Sequence, residues 1–309
     1  MLFPVKHVFA WVFFAGAVFQ LRGAAVFYDS FNYTPDGAQI SSAGSPSWFL
    51  RSAAGSVEPK INSGSLSYPG LQTTPGDNSV VFDGTGVSAG IAGRQLDQIY
   101  NIGNAPTLYY SLTLQVTSIV AADWGGSGNW LTGSFMMGFT QDSTGALANG
   151  SVAAPLLIRT GDPNNTSGMA NDFQSFQLGT GVTAVSPASR VFDGAHNYTP
   201  GSTLFLVLSY TFGANAADDV ARLWVNPIPG SLESANVPVV TTPLGIADVT
   251  NNQVQAFFLR NNSVQPASTV IDNLRIGTSW EDVTPVPEPS SATLLVLSAA
   301  GFLVRRFRR

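Results

Sequence analysis

Paired carboxylates are the first chemistry to look for in this chain, because two acids that flank a glycosidic bond can hydrolyse it. The sequence contains four glutamates: Glu58, Glu233, Glu281 and Glu288. None of them shares a predicted strand with a second acid at the spacing that this mechanism needs. The sequence therefore predicts no glycosidase of that type, and an enzyme that acts on polysaccharide through other residues remains an alternative.

Histidine and cysteine are too scarce to support the other common catalytic and metal sites. The chain has no cysteine, and one of its two histidines, His7, lies in the leader described below. The other, His196, follows Asp193-Gly194 in a turn before a strand, which is typical of a polar loop residue. A Ser–His–Asp hydrolase and a transition-metal site are therefore both disfavoured.

Oxygen ligands remain, and they suit a hard cation such as calcium. Asp272 has the same parity as Leu274 and Ile276, which places a carboxylate on the inward face of a predicted strand. That burial is costly unless the carboxylate is paired or coordinated. If the first and last strands adjoin, Asp29 and Asp272 are candidate calcium ligands, and a β-bulge or a capping hydrogen bond is the alternative. The Asp218-Asp219 pair is interpreted as a solvated turn.

Sugar recognition is the other chemistry that the sequence offers. Residues 123–130 place two tryptophans around a glycine-rich loop. Indole faces stack on the apolar faces of sugars, and Asp123 and Asn129 could fix hydroxyl groups. Trp124 and Trp130 are therefore candidate carbohydrate-binding residues. The alternative is that both rings anchor the loop on the core.

Strands rather than helices must position these side chains. Residues 108–118 alternate in polarity, which predicts a strand with Leu112 on its buried face and Thr113 on its wet face. In residues 203–212, both the odd-numbered and the even-numbered positions include apolar side chains. This pattern predicts a central strand with Leu206 pointing inward. Further strands are predicted at 26–29, 65–68, 79–82, 133–140, 155–160, 172–178, 220–226, 253–259 and 268–277. Many short strands without helices favour an all-β antiparallel sandwich.

The first 25 residues predict a secretory signal peptide, with Lys6 and His7 before an apolar run and small residues at 23–25. Residues 26–284 then form the exported domain. Between positions 26 and 285 there are eight basic and eighteen acidic side chains, a formal net charge of −10. An acidic surface without basic clusters argues against nucleic acid as a partner.

The other end of the chain carries a membrane signal. Residues 290–304 are apolar and uncharged, which predicts a short transmembrane helix. The arginines that follow predict a stop-transfer signal on the cytoplasmic side. They are Arg305, Arg306, Arg308 and Arg309.

Residues 285–309 resemble the PEP-CTERM sorting signal of Gram-negative bacteria, because a Val-Pro-Glu-Pro box, an apolar run and an arginine cluster occur in that order. The resemblance implies that Pro287, Glu288 and Pro289 form a sorting box for an exosortase-type membrane transpeptidase. It also implies an inner-membrane intermediate that faces the periplasm and later reaches the cell surface or the exopolysaccharide matrix. A plain tail anchor with a proline-rich stem is the alternative.

Three motifs spread along the exported domain, at 27–33, 222–227 and 271–280, look like those of concanavalin A-like, LamG-type jelly-roll domains. The resemblance implies two curved antiparallel sheets with the first and last strands as neighbours. Glucanases and lectins share this shape. The expected function is that of an exported, non-catalytic β-sandwich protein, with a carbohydrate-binding module and a polysaccharide-active enzyme as alternatives.

Overall fold

The computed structural model describes residues 26–53, 55–74, 76–83, 90–119, 133–144, 147–161, 172–184, 189–262, 266 and 268–287. The predicted signal peptide at 1–25 and residues 288–309 of the predicted sorting tail lie outside these ranges. Within them, no helix is long and apolar enough to cross a membrane.

The described chain contains fifteen strands. They are β1 (Phe27–Asp29), β2 (Phe49–Leu50), β3 (Lys60–Asn62), β4 (Ser79–Phe82), β5 (Gly90–Tyr100), β6 (Thr107–Ser118), β7 (Ser134–Thr140), β8 (Val152–Gly161), β9 (Asp172–Gly181), β10 (Arg190–Phe192), β11 (Thr203–Thr211), β12 (Val220–Val225), β13 (Val240–Thr241), β14 (Val254–Asn261) and β15 (Ser268–Gly277). The helical elements are single turns: α1 (Ile40–Ala43), α2 (Trp280–Val283) and the 3-10 turns Asn149–Ser151, Glu233–Ala235 and Thr250–Asn252.

The strands form two antiparallel sheets. One has eight strands in the order β13-β12-β11-β6-β15-β4-β3, with β1 paired to β15. The other has seven strands in the order β10-β9-β8-β7-β14-β5-β2. Phe27 pairs with Ile276 and Asp29 with Leu274, so the first and last strands are neighbours as expected. The predicted all-β class with two antiparallel sheets is confirmed.

The main core lies between the two sheets. Leu112 and Leu206 face each other across β6 and β11 and are both fully buried, as their strand parity predicted. The ring of Tyr110 crosses from one sheet to the other, with its centroid 5.2 Å from that of Phe139 and 5.1 Å from that of Phe257. Burying each large apolar side chain contributes about 1.5–3 kcal/mol to folding.

A second, smaller core covers the outer face of the eight-stranded sheet. It includes Phe205, Trp224 and Trp280, all of which are buried. Residues 65–68, predicted as a strand, form no strand and instead cross this face as an irregular segment. Thr113 is therefore fully buried, and its hydroxyl donates to the Asp272 carbonyl at 3.1 Å. Its predicted place on a wet face was wrong, because a strand's polar face need not meet water when a loop crosses it.

Candidate functional site

Most of the residues singled out from the sequence fall outside the described chain. These are Asp123, Trp124, Asn129, Trp130, Glu288, Pro289, Arg305, Arg306, Arg308 and Arg309. Of the predicted sorting box, Pro287 is described and is exposed. The backbone just before it is held in place, because the N–H of Gly230 donates to the Thr284 carbonyl at 2.8 Å.

A β-bulge turns Asp272 away from the inter-sheet core. The register of β15 against β6 shifts between Asp272 and Arg275, and Asn273 has a φ of 55°. Ile271 and Leu274 consequently both face the main core. The predicted shared parity of Asp272 and Leu274 was wrong, and the bulge that was its alternative is what the structure contains.

Backbone donors hold the Asp272 carboxylate. The N–H of Leu66 donates to Oδ2 at 2.8 Å, and the N–H of Asn273 donates to Oδ1 at 2.6 Å. Desolvation raises the pKa of Asp272 to about 7, against the effect of these two donors, and the charges of Asp77 and Asp29 add to the rise. Hydrogen bonding from the segment that crosses this face thus accounts for the buried carboxylate, and calcium at Asp29 and Asp272 stays a prediction.

Asp29 is a centre of hydrogen bonding at the end of β1. Its Oδ1 accepts from the N–H of Phe31 at 2.8 Å. Its Oδ2 accepts from the Tyr33 hydroxyl and the Trp48 indole, both at 2.8 Å. The guanidinium of Arg94 lies 3.7 Å from the same oxygen. Asp29 therefore ties three parts of the chain to β1 through one buried carboxylate.

The structure also gathers Asp218, Asp219 and Asp248, which each offer an oxygen within 4.8 Å of the others. Asp219 is 1% exposed and accepts from the Tyr210 hydroxyl and from the Gly213 N–H, so the interpretation of this pair as a solvated turn was wrong for Asp219. Burial raises its pKa. Asp248 accepts from the N–H of Asp219 at 3.0 Å. Calcium prefers such oxygens, but backbone donors already use most of them to close this loop.

The outer face of the seven-stranded sheet carries arginine and phenylalanine side chains. Along β9, Phe176 and Leu178 pack into the main core, so Gln177 between them points to the opposite side. The same alternation places Arg260, next to the core residue Leu259, on this outer side. The group is called the arginine face, and its members are Phe135, Arg159, Gln177, Arg190, Phe192, Asn197 and Arg260.

Strand register brings these side chains together from five neighbouring strands. Arg159 of β8 pairs directly with Gln177 of β9. The Arg159 guanidinium lies 4.3 Å from the centroid of the Phe192 ring on β10. The Arg260 guanidinium of β14 lies 4.3 Å from the centroid of the Phe135 ring on β7. Both cations are thus positioned by cation–π contacts with half-buried rings.

Two glycines make room for the Phe192 ring. A β-carbon on Gly133 would lie 2.3 Å from Phe192 Cζ, and one on Gly179 would lie 2.8 Å from Phe192 Cδ1. Gly133 also has a φ of 67°, in the left-handed region that favours glycine. Its carbonyl accepts from Arg190 Nη1 at 2.8 Å. Gly133, the first described residue after the predicted tryptophan loop, therefore borders the arginine face.

A line of hydrogen bonds crosses the face. Arg159 donates from Nε and Nη2 to Gln177 Oε1 at 2.8 and 2.6 Å. Gln177 in turn donates from Nε2 to Asn197 Oδ1 at 2.9 Å. Gln177 is 0% exposed, and its amide, held at both ends, orients half-buried Arg159 and exposed Asn197. A few oriented polar groups beside apolar rings are the usual composition of a small-molecule or sugar site.

His196 lies in a turn after β10, beside Asn197, in keeping with its interpretation as a loop residue. Its Nδ1 is 2.8 Å from Oδ2 of the buried Asp193, while the imidazole stays 59% exposed. The Tyr198 hydroxyl donates to the same oxygen at 2.7 Å. Asp193 therefore anchors the turn that carries Asn197 to the arginine face.

Sequence reasoning did not identify the arginine face. Its signal is present but faint: Arg159 follows an apolar residue inside the predicted strand 155–160, where a charge is unusual, and Arg260 lies one position beyond the predicted strand 253–259. The strand order brings Arg159 next to Phe192 and Arg260 next to Phe135. No local sequence pattern predicts that order.

No protein-family model matches the chain, and no curated protein matches it. Similar solved structures include the alginate lyase Aly36B, at 12% identity and a TM-score of 0.42, covering 82% of this chain and 97% of that one. The exoplasmic/lumenal domain of VIP36 in its Ca²⁺/Man2-bound form is 11% identical, with a TM-score of 0.42 and coverages of 84% and 90%. Peanut lectin with a 9mer peptide is 10% identical, with a TM-score of 0.41 and coverages of 81% and 96%.

Proposed function

We propose that this chain is an exported, non-catalytic β-sandwich protein of the concanavalin A-like jelly-roll type, and that it binds polysaccharide on the arginine face. The observation that carries the proposal is the combination on one surface of half-buried rings, fixed guanidinium groups and the exposed amide of Asn197, which buried Gln177 holds in place. Rings such as Phe192 suit the apolar faces of sugars, and the exposed amide of Asn197 suits their hydroxyl groups.

Export and sorting form the second part of the proposal. A signal peptide at 1–25 delivers the chain across the inner membrane, and the short helix within 285–309 retains it there facing the periplasm. An exosortase-type transpeptidase then reads Pro287, Glu288 and Pro289 and releases the domain to the surface or the exopolysaccharide matrix. What supports this part is the order of the three sequence features at the end of the chain.

The alternative is an enzyme that acts on polysaccharide. The arginine face favours binding, because its described polar members are amides and guanidinium groups, which hold a ligand but transfer protons poorly at neutral pH. His196, next to Asn197 of the arginine face in sequence, is a candidate general base, but its Nδ1 is already hydrogen-bonded to Asp193. The proposed function needs no cofactor, and calcium stays a structural hypothesis that chelation can test.

Retention on immobilised polysaccharides tests the proposal, with the full-length chain purified in detergent. We expect wild type to be retained and Phe192→Ala to lose most of that retention. Tyr68→Ala is the matched control, because Tyr68 is a half-buried aromatic residue on the other sheet, 5.5 Å from Phe205. Wild type that is retained by no polysaccharide would contradict the function, and release of sugar products would establish the enzyme.

A further inference from the structure

Arg260 is a half-buried cation of the arginine face. Among the described residues no carboxylate lies within ion-pair distance of its guanidinium. Burial and, to a smaller extent, the charge of nearby Arg190 together lower the pKa of Arg260 to about 10. A protein gains nothing in stability from two partly desolvated cations that repel each other.

One edge of the Arg260 guanidinium is free to bind. Nη1 donates to the Ser134 hydroxyl at 3.3 Å and to the Phe135 carbonyl at 3.1 Å. Nε and Nη2 donate to no group in the described part of the chain, and these two nitrogens lie along one edge of the guanidinium plane. The Phe135 ring holds that plane in position. Two parallel N–H groups on a fixed plane match the oxygen pair of a carboxylate or a sulfate.

Positive charge is concentrated on this face against the trend of the chain. The exported domain has seven arginines, and three of them, Arg159, Arg190 and Arg260, belong to the arginine face. The domain as a whole is strongly acidic and repels anions at long range. A local cluster of cations in such a chain attracts anionic ligands to this surface. The result is selective binding of anions rather than non-specific adsorption.

We infer that the ligand of the proposed polysaccharide site is an anionic polysaccharide, one that bears carboxylate or sulfate groups. The free edge of Arg260 holds the anion. This inference rests on the proposed function. Phe135 and Phe192 then lie beside the sugar rings, and the exposed Asn197 amide meets the hydroxyl groups. The ligand's charge then pairs with Arg260, for which the described residues supply no carboxylate.

The test compares three immobilised polymers: polygalacturonate, which carries carboxylates; dextran sulfate, which carries sulfate esters; and neutral dextran. We expect wild-type full-length chain in detergent to bind one of the anionic polymers at least about tenfold more tightly than dextran. Preference between the first two identifies the anion. Arg260→Gln should weaken binding to that polymer about tenfold or more, and this loss should exceed any loss of binding to dextran.

Arg222→Gln is the matched control, because Arg222 is a half-buried arginine of the eight-stranded sheet that donates to the Thr211 hydroxyl. An equal loss in both variants would mean general charge attraction and overturn the inference. Binding to dextran as tight as to the anionic polymers, or full anionic binding by Arg260→Gln, would also overturn it while leaving polysaccharide binding in place. Retention by none of the three would instead count against the proposed function.

A melting curve separates loss of the site from loss of the fold. Removing a cation that has no acidic partner should leave the melting temperature of Arg260→Gln equal to that of wild type or higher. Should that variant unfold, Arg260→Lys decides, since lysine keeps the charge but lacks the two-pronged edge. A folded Arg260→Lys that binds the anionic polymer as tightly as wild type would contradict the role of that edge.

Discussion

The indole N–H of Trp48 donates to the carboxylate of Asp29 at 2.8 Å, and both side chains are buried. The Tyr33 hydroxyl and the Phe31 N–H use the same carboxylate. The first strand of the domain is therefore tied to the segment that leads into β2 by one acidic side chain.

Asp29→Ala should cost about 3 kcal/mol or more of folding free energy, because it leaves several buried donors without an acceptor. Urea unfolding followed by fluorescence measures the loss. Asp36→Ala, in an exposed turn nearby, serves as the control and should stay within about 0.5 kcal/mol of wild type. Similar values for the two variants would mean that the Asp29 hydrogen bonds contribute little.

Chelation tests the calcium hypothesis. We expect the melting temperature to be unchanged by chelator, because protein donors hold Asp29 and Asp272 and most oxygens of the Asp219 and Asp248 cluster. Bound calcium at a hundredfold excess over its Kd would instead contribute about 2.7 kcal/mol. A drop on chelation that calcium restores and magnesium does not would contradict the expectation. Asp272→Asn and Asp248→Asn would then show which cluster holds the ion.

Stability should fall as the pH rises from about 4 to about 7. Desolvation raises the pKa values of Glu58, Asp219 and Asp272 in the folded chain, and that of Asp272 reaches about 7. The folded state then binds more protons than the unfolded state in this window, so raising the pH favours unfolding. Melting temperatures between pH 4 and pH 8 measure the slope. Asp272→Asn should flatten its upper part, and stability that rises with pH across the window would show that these carboxyls are not the dominant groups.

Core substitutions separate the two faces of β6. Leu112→Ala and Leu206→Ala should each cost roughly 2–5 kcal/mol, as large-to-small changes in a packed core do. Thr113→Ala should cost about 1–3 kcal/mol, because the hydroxyl bonds the Asp272 carbonyl under the segment 65–68. Thr117→Ala, on the same parity but exposed, should cost less than about 0.5 kcal/mol. Equal costs for the two threonines, measured in urea, would contradict burial of this face.

Strand periodicity predicted the fold well where each strand has its own alternation. Thr107–Ser118 and Thr203–Thr211 both occur within a residue or so of their predicted bounds. Gly90–Tyr100 was missed although it is one of the longest strands, because its glycines and charges show neither period. It is a strand because β14 pairs along it, for example through Phe257 and Arg94. Pairing partners of this kind are a property of the whole chain.

The candidate site was the least predictable part for the same reason. The bulge at Asp272 depends on Asn273, whose left-handed φ of 55° is one that asparagine adopts more readily than most residues. Such a residue permits a bulge without requiring one. The contact between Arg260 and Phe135 joins two strands that are over a hundred residues apart in the chain. No local pattern distinguishes that neighbour from any other phenylalanine.

The position of β15 has a consequence for how the domain is completed. It lies between β6 and β4 and also pairs with β1, so the last of the described strands is one of the innermost of its sheet. About 250 residues separate Phe27 from its partner Ile276, a long-range contact that closes late in folding. Until the ribosome has released Ser268 and the residues after it, β6 and β4 both have unpaired edges that can pair with another chain. A chain that terminates before Ser268 would therefore lack a central strand of the eight-stranded sheet, and such a fragment should aggregate. Loss of an edge strand such as β13, by contrast, should be tolerated.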